Sequence, residues 1–289
     1  MSKIRQPKIG VVKSLWRYPV KSMLGEGVSL VQVHQFGFYG DRVYGLVDTS
    51  DGKVATAKNP QKWPDLFSCR ARLMETSGAS SVIPPVCITL PDGSVVTSEV
   101  RDLDQTLSRA MKRGVTLAVT QAGRVSGVQT PLSVAWTGQS EEYWPDMEGR
   151  DHKNTVTDFS LPSGTFFDGA MVHLLTTATL NRLQELYPMG CVDLRRFRPN
   201  LVVETRVGEE GFVENSWIGC TVGIGEKVRL KMTAPCGRCV MTTLAQEGLP
   251  KDAGILRTAV QHNHGHVGVY ATVVQGGAIR CGDEIQLDP

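Results

Sequence analysis

The sequence predicts an α+β protein that is predominantly β, with a β-barrel-like core and a few helices. Short apolar runs recur with turn residues between them, the pattern of strands and hairpins. Helical spacing is confined to a few segments, and strands do not alternate with helices as a doubly wound sheet requires.

Taken in order, Val11 to Leu15, Val28 to Val33 and Tyr44 to Val47 read as strands. Asp51-Gly52 turns the chain into a further run ending near Thr56, and Pro91-Asp92-Gly93 joins Cys87 to Leu90 with Val95 to Thr97. Leu103, Leu107 and Met111 share one face of a helix expected from Leu103 to Arg113, with Asp102 as N-cap and Gly114 as its stop. From Gln121 to Ser163 the composition shifts to Gly, Ser, Pro, Asp and Glu, which reads as a long connection. Beyond it come strands around Met171 to Leu175, at Leu201 to Glu204, Val222 to Ile224 and Val228 to Met232. A helix from about Thr179 to Tyr187 is ended by Pro188, and Gly268 to Val274 with Ile279 to Leu287 closes the chain. The expected organisation is an N-terminal β-rich domain at 7–123, a connection at 124–165 and a second domain at 166–288.

A chain of 289 residues is long enough to bury two cores, and 41% hydrophobic with 21% charged residues excludes a disordered or fibrous protein. The net charge of +2, with no long basic run, argues against nucleic-acid and membrane-surface partners, so an anionic ligand has to be met by local groups. No apolar stretch is long enough to span a bilayer and Met1 to Gly10 has no apolar signal core, from which a cytoplasmic location is expected. Seven cysteines, an odd number spread along the chain, do not form a secreted disulfide framework. Only Cys236 and Cys239 stand at a chemically suggestive spacing.

Three readings compete for Cys236-Gly237-Arg238-Cys239. A zinc half-site needs two more ligands, for which His262, His264 and His266 alternate along a segment read as extended. A redox dithiol needs a helix start, whereas Val240-Met241-Thr242-Thr243 is β-branched and strand-like. A single soft-metal ligand beside Arg238 is the third, and a plain core turn is the bland alternative. Groups suited to an anion are dispersed: Lys21 and Ser22 at a strand end, Arg42 before Tyr44, Thr176 and Thr177 ahead of the second helix, and Arg198 with Asn200 before Leu201. Ordinary explanations exist for each, namely solvated loops, N-capping by the threonines, and arginines paired with Glu204, Glu209 and Glu210.

Together Tyr18-Pro19-Val20-Lys21-Ser22, Gly40-Asp41-Arg42, Arg196-Phe197-Arg198-Pro199-Asn200, Cys236-Gly237-Arg238-Cys239, Gly268-Val269-Tyr270 and Gly282-Asp283 resemble the MOSC-domain family. That family is named after the C-terminal region of molybdenum cofactor sulfurases. Within it the chain looks like the mitochondrial amidoxime reducing component and its bacterial relatives, which reduce N-hydroxylated compounds. The resemblance covers almost the whole chain and implies a β-barrel-like MOSC core preceded by a β-rich N-terminal subdomain. It implies Cys239 as the molybdenum ligand and catalytic residue, with Cys236 a bystander. It further implies that Lys21, Ser22, Arg42, Thr176, Thr177, Arg198, Asn200, Arg238 and Tyr270 hold the pterin and its phosphate.

The implied activity is molybdenum cofactor (Mo-molybdopterin)-dependent reduction of small N-hydroxylated or N-oxide-type molecules by oxygen-atom transfer. No ferredoxin-like extension or membrane segment is read in the sequence, so electrons are expected from a separate donor protein of flavin, ferredoxin or cytochrome type. The competing expectation is a sulfur carrier or cofactor-binding module with a persulfide on Cys239.

Overall fold

In the computed structural model, residues 8–74, 84–120, 137–145 and 154–288 are described. The first half runs β1 (Lys8–Arg17), β2 (Glu26–Val28), β3 (Leu30–His34), β4 (Gly37–Phe38), β5 (Tyr44–Asp48), β6 (Arg70–Leu73), β7 (Val86–Thr89), β8 (Val95–Thr97), α1 (Leu103–Met111) and β9 (Val115–Val119). It continues with β10 (Gln139–Trp144) and β11 (Thr155–Ser160). The second half contains β12 (Val172–Thr176), α2 (Thr177–Leu186), β13 (Leu201–Thr205), β14 (Thr221–Ile224), β15 (Val228–Gly237), α3 (Ala253–Asn263), β16 (His266–Gln275), β17 (Gly277–Arg280) and β18 (Glu284–Asp288). The fold is α+β and predominantly β, as the sequence predicts. No helix among the described residues is long and apolar enough to cross a membrane.

The chain divides into two compact units that interleave along it, where the sequence suggests a linear order. One unit comprises 1–16, 27–39 and 170–289, the other 17–26 and 40–169.

The first unit is built on a closed seven-stranded barrel in the order β1, β13, β12, β16, β15, β14, β18, with β18 returning to β1. Closure satisfies both edges of every strand, so no row of backbone donors is left open. β12 and β13 are parallel, and α2 supplies the crossover that such a pair needs. Inward residues, including Val12, Leu15, Leu174, Leu201, Val203, Leu230, Met232, Val269 and Ile285, fill the interior. The expected last strand is two. Gly282 at φ +91 turns the chain, so that β17 pairs with β3 while β18 pairs with β1 and β14.

α3 has no counterpart in the sequence reading, although its signals are present. Asp252 caps it by accepting from the Gly254 N–H at 2.9 Å, and Ile255, Leu256 and Ala259 face inward. His262 therefore lies in the helix, His264 is its left-handed C-cap and His266 opens β16, so the three histidines do not alternate along one extended segment.

The second unit pairs β5 with β9 and sets β7 between β6 and β8, with Leu103, Leu107 and Met111 of α1 buried alongside Leu46, Ile88 and Leu117. α1 ends in a left-handed Lys112, two residues before the expected stop. Gly114 serves a different need, because a Cβ there would run into the Thr49 side chain. The run after Asp51-Gly52 reduces to bridges at Val54. The expected connection at 124–165 contains the hairpin β10–β11, while its parts at 124–136 and 146–153 lie outside the described residues. Its strands carry Gln139, Glu141, Glu142, Thr157 and Asp158 and lack apolar alternation. Charge pairs hold them, Lys53 to Asp158 at 2.7 Å and Lys62 to Glu141 at 3.4 Å among them.

Where β16 meets β12, Gly268 has φ +79, and a Cβ would press on His173 Nε2 and the Leu174 carbonyl. Gly268→Ala combines backbone strain with a clash inside the barrel wall. We expect it to lower unfolding free energy by roughly 3 kcal/mol in a denaturant titration.

Candidate functional site

The predicted site residues fall into two sets, one in each unit. In the first unit Cys236 is 1% exposed at the end of β15, and the Arg238 guanidinium donates to its sulfur at 2.9 Å. The Arg238 N–H donates to the Gly265 carbonyl at 2.8 Å, and Gly237 sits opposite His266, so the turn is fastened to the start of β16. Cys239 is half-buried and caps a 3-10 turn over Val240–Thr243. The strand expected there does not form. Thr242 and Thr243 hydroxyls donate back to the Cys239 and Val240 carbonyls at 3.0 and 2.8 Å, which accommodates β-branched residues in a tight turn. Among the described residues no three or more His, Cys, Asp or Glu side chains assemble into a metal-binding group, so the histidines do not complete a zinc site with the cysteine pair.

The segment beyond Cys239 is held by a residue whose role the sequence reading missed. Arg196 is fully buried and donates to four carbonyls, those of Cys191 (2.9 Å), Thr242 (3.3 Å), Leu244 (3.3 Å) and Pro250 (2.8 Å). Thr242 links the two, since its carbonyl accepts from Arg196 while its N–H and hydroxyl donate to the Cys239 carbonyl at 3.1 and 3.0 Å. Arg195 pairs with Asp193 at 2.8 Å and reaches the Glu247 carbonyl at 3.1 Å. Neither arginine pairs with Glu204, Glu209 or Glu210. The only hint in the sequence was an arginine run ahead of a buried strand.

By strand register Asn200, His173 and Tyr270 lie level across β13, β12 and β16. Asn200 accepts from the His173 N–H at 3.1 Å and donates to the Trp16 carbonyl at 3.4 Å, and the Tyr270 ring meets His173 edge-on at 6.1 Å. Arg198, buried, adopts φ +54 at the bend into β13.

Thr176 and Thr177 stand apart from that level. The Thr176 hydroxyl accepts from the Thr179 N–H and donates to buried Glu214 at 2.7 Å, which uses its only donor. Thr179 donates to the same Glu214 oxygen at 2.7 Å. The start of α2 is thus occupied by the chain's own carboxyl group. Burial pushes Glu214 above its ordinary value, against the two hydroxyl donors that favour its charge. Thr177 accepts from the Thr205 N–H at 3.3 Å and borders a cleft of about 630 Å³ lined also by Lys13, Asn181, Glu204 and Arg206.

In the second unit Lys21 is buried, and its ammonium group donates to the Phe166 carbonyl at 3.1 Å and to Asp168. Burial lowers its pKa, with Asp168 opposing. Ser22, also buried, has φ +64. Arg42 (φ +50) pairs with Asp41 and stacks over Tyr18 at 4.9 Å and Phe167 at 5.9 Å. Lys58 lies 3.8 Å from Asp168. Burial would raise the Asp168 carboxyl, but Lys21, Lys58 and Arg42 hold it far below the usual range. The sequence reading included Lys21 and Arg42 but missed Lys58 and Asp168, which sit in unremarkable segments.

Of the remaining cysteines, Cys69 is buried and its thiol is pushed up to about 12 by that burial with help from Asp65 and Asp92.

Comparison with known proteins gives two family matches in series. The MOSC N-terminal beta barrel domain matches residues 9–125 and the MOSC domain residues 162–286. Mitochondrial amidoxime reducing component 2 of Rattus norvegicus is 24% identical over 96% of this chain and 83% of its own length. Mitochondrial amidoxime-reducing component 1 of Homo sapiens is 25% identical, covering 82% of this chain and 67% of its own. The crystal structure of the YUAD protein from Bacillus subtilis superposes with a TM-score of 0.44 at 11% identity, over 96% of this chain and 94% of that one.

Two outcomes follow from the buried polar groups. Arg196→Met strips four carbonyls of the donor that gathers them and should cost on the order of 3 kcal/mol, with proteolysis between 240 and 250 appearing before global unfolding. Glu214, raised in the folded chain, binds its proton there more tightly than when unfolded, so its contribution is full below about pH 4.3 and declines as pH rises. Thermal unfolding of Glu214→Gln across pH 4 to 8 should show the variant gaining on the unsubstituted chain as pH increases.

Proposed function

The chain belongs to the MOSC-domain family, with the family's N-terminal beta barrel domain and MOSC domain in order, and on that footing we propose that it is a molybdenum cofactor-dependent oxidoreductase. Its substrates are small N-hydroxylated or N-oxide-type molecules. Support comes from the two amidoxime reducing relatives, each aligned over most of this chain.

The observation that carries the reading is Cys239, a half-buried sulfur on a turn whose carbonyl, following segment and neighbouring strand are all fastened. A fixed, soft, single sulfur donor suits molybdenum better than a dithiol couple would, because its partner Cys236 is buried against Arg238. Arg198, Arg238, Lys21 and Arg42 are each of the cationic type that suits an anionic pterin phosphate. When bound, the cofactor would supply two-electron oxygen-atom transfer.

The chain's own residues would do the following. Cys239 ligates the metal as thiolate. Arg238, oriented by the Cys236 sulfur, presents positive charge beside it. Asn200 and Tyr270 hold polar groups at a level fixed by the barrel register, and Ser22 offers a hydroxyl next to Lys21. Thr176 and Thr177 stay in the set at the start of α2, where the Thr176 hydroxyl already donates to Glu214 and the Thr177 hydroxyl accepts from the Thr205 N–H. Electrons come from a separate donor protein of flavin, ferredoxin or cytochrome type.

Protein produced in a host that synthesises the cofactor should carry molybdenum and pterin in equal amounts and reduce an amidoxime with an artificial donor. Cys239→Ser should lose bound molybdenum and at least about 100-fold in rate. Wild-type turnover by a metal-loaded Cys239→Ser would overturn the ligand assignment. A metal-free protein with labile sulfur on Cys239 would replace the reductase with the sulfur carrier.

A further inference from the structure

The Lys21–Asp168 pair is unequal in exposure. The Lys21 side chain is 4% exposed, whereas that of Asp168 is 34% exposed. Lys21 cannot readily leave. Its N–H donates to the Tyr44 carbonyl at 2.8 Å, the preceding Val20 bridges Tyr44, and Ser22 is held at positive φ. Asp168 lies between buried Phe167 and exposed Gly169, in a stretch outside helix and strand.

Asp168 also spans two cations at once. One carboxylate oxygen meets Lys21 and the other faces Lys58 at 3.8 Å, as two oxygens of a phosphate would. The neighbouring carboxylates are already engaged, Asp41 by Arg42 and the Tyr18 N–H, Glu142 by Lys58 at 3.4 Å. Among the described residues, if Asp168 moves away the Lys21 ammonium group keeps only the Phe166 carbonyl. A buried ammonium without a counter-ion sheds its proton, so the site favours exchange of one anion for another over a vacancy.

We propose that Asp168 is a displaceable internal counter-ion, and that Lys21, Lys58 and Arg42 form a phosphate-class anion site whose ligand takes over the place of its carboxylate. This deepens the cofactor reading, on which it rests for the role of Lys21 and Arg42. It adds Lys58 as a contact and makes Asp168 a competitor of the ligand.

The test uses inorganic phosphate and needs neither molybdenum nor pterin. Asp168→Asn should bind phosphate roughly tenfold tighter than the unsubstituted chain by calorimetry, and Lys21→Met in that background should abolish the gain. If Asp168→Asn folds poorly, millimolar phosphate should raise its unfolding temperature by more than it raises that of the unsubstituted chain. Equal or weaker phosphate binding, or no larger thermal response, would overturn the proposal and leave Asp168 a structural clamp. Pterin content of the same variants from a cofactor-synthesising host separates the sources: a pterin phosphate is retained by Asp168→Asn and lost with Lys21→Met, whereas a free phosphate leaves pterin content unmoved. A gain in phosphate affinity in a protein that never acquires molybdenum would sink the reductase reading alone. Molybdenum-loaded protein with no gain would sink this inference alone.

Discussion

The barrel of the first unit depends on β1 fitting between β18 and β13. Six of its strands come from residues 172–288, and without a seventh both β13 and β18 would present open rows of backbone donors and acceptors. β1 supplies the missing wall from the other end of the sequence, with Val12 opposite Val203 and Val11 opposite Glu284. Asn200 sits on this seam. Its side chain reaches the His173 N–H on β12 and the Trp16 carbonyl on β1, and its backbone carbonyl accepts from Trp16 at 2.9 Å. A residue proposed to meet the cofactor is therefore also a staple of the closure, which fixes its position to the tolerance of the barrel rather than of a loop.

Past the barrel end the chain has no ladder to hold it, and Arg196 takes over. A planar guanidinium can donate in several fixed directions, and here it gathers carbonyls from positions 191, 242, 244 and 250 around one buried side chain. Among the described residues it has no carboxylate within ion-pair distance, so its hydrogen bonds go to backbone carbonyls. Lysine, with a single point charge on a flexible stem, could not hold four carbonyls in that geometry. The turn carrying Cys239 inherits its shape from this cluster through Thr242.

What was legible in the sequence was periodicity. The strands of the barrel wall and the helix face Leu103, Leu107 and Met111 announce themselves because burial on one side imposes a period of 2 or 3.6. The hairpin β10–β11 did not, because charge pairs with Lys53, Lys58 and Lys62 hold it and leave no apolar period. α3 was hidden by polar residues at its end, His262 and Asn263 giving the look of a loop although Asp252 caps its start. In the site, chemically distinctive residues such as Cys239, Lys21 and Arg42 could be read singly, since their residue type carries the signal. Their controllers could not. Asp168, Glu214 and Arg196 act through contacts with residues tens to hundreds of positions away or through burial, and neither is written in local sequence.

The start of α2 shows why residue type alone misleads. Two threonines before a helix describe an anion site equally well whether the anion is a ligand or part of the chain. The positive end of a helix of ten residues favours negative charge within its first turn. Here the demand is met from within, by Glu214 accepting from both Thr176 and Thr179. A ligand phosphate could take these two hydroxyls only by displacing a carboxyl group that is fully buried and accepts from both. Asp168 answers the same physical demand at Lys21 from a partly exposed position, which makes its place exchangeable and that of Glu214 not. Whether an internal carboxylate marks a ligand site or fills one permanently is decided by its exposure, and these two residues fall on opposite sides of that division.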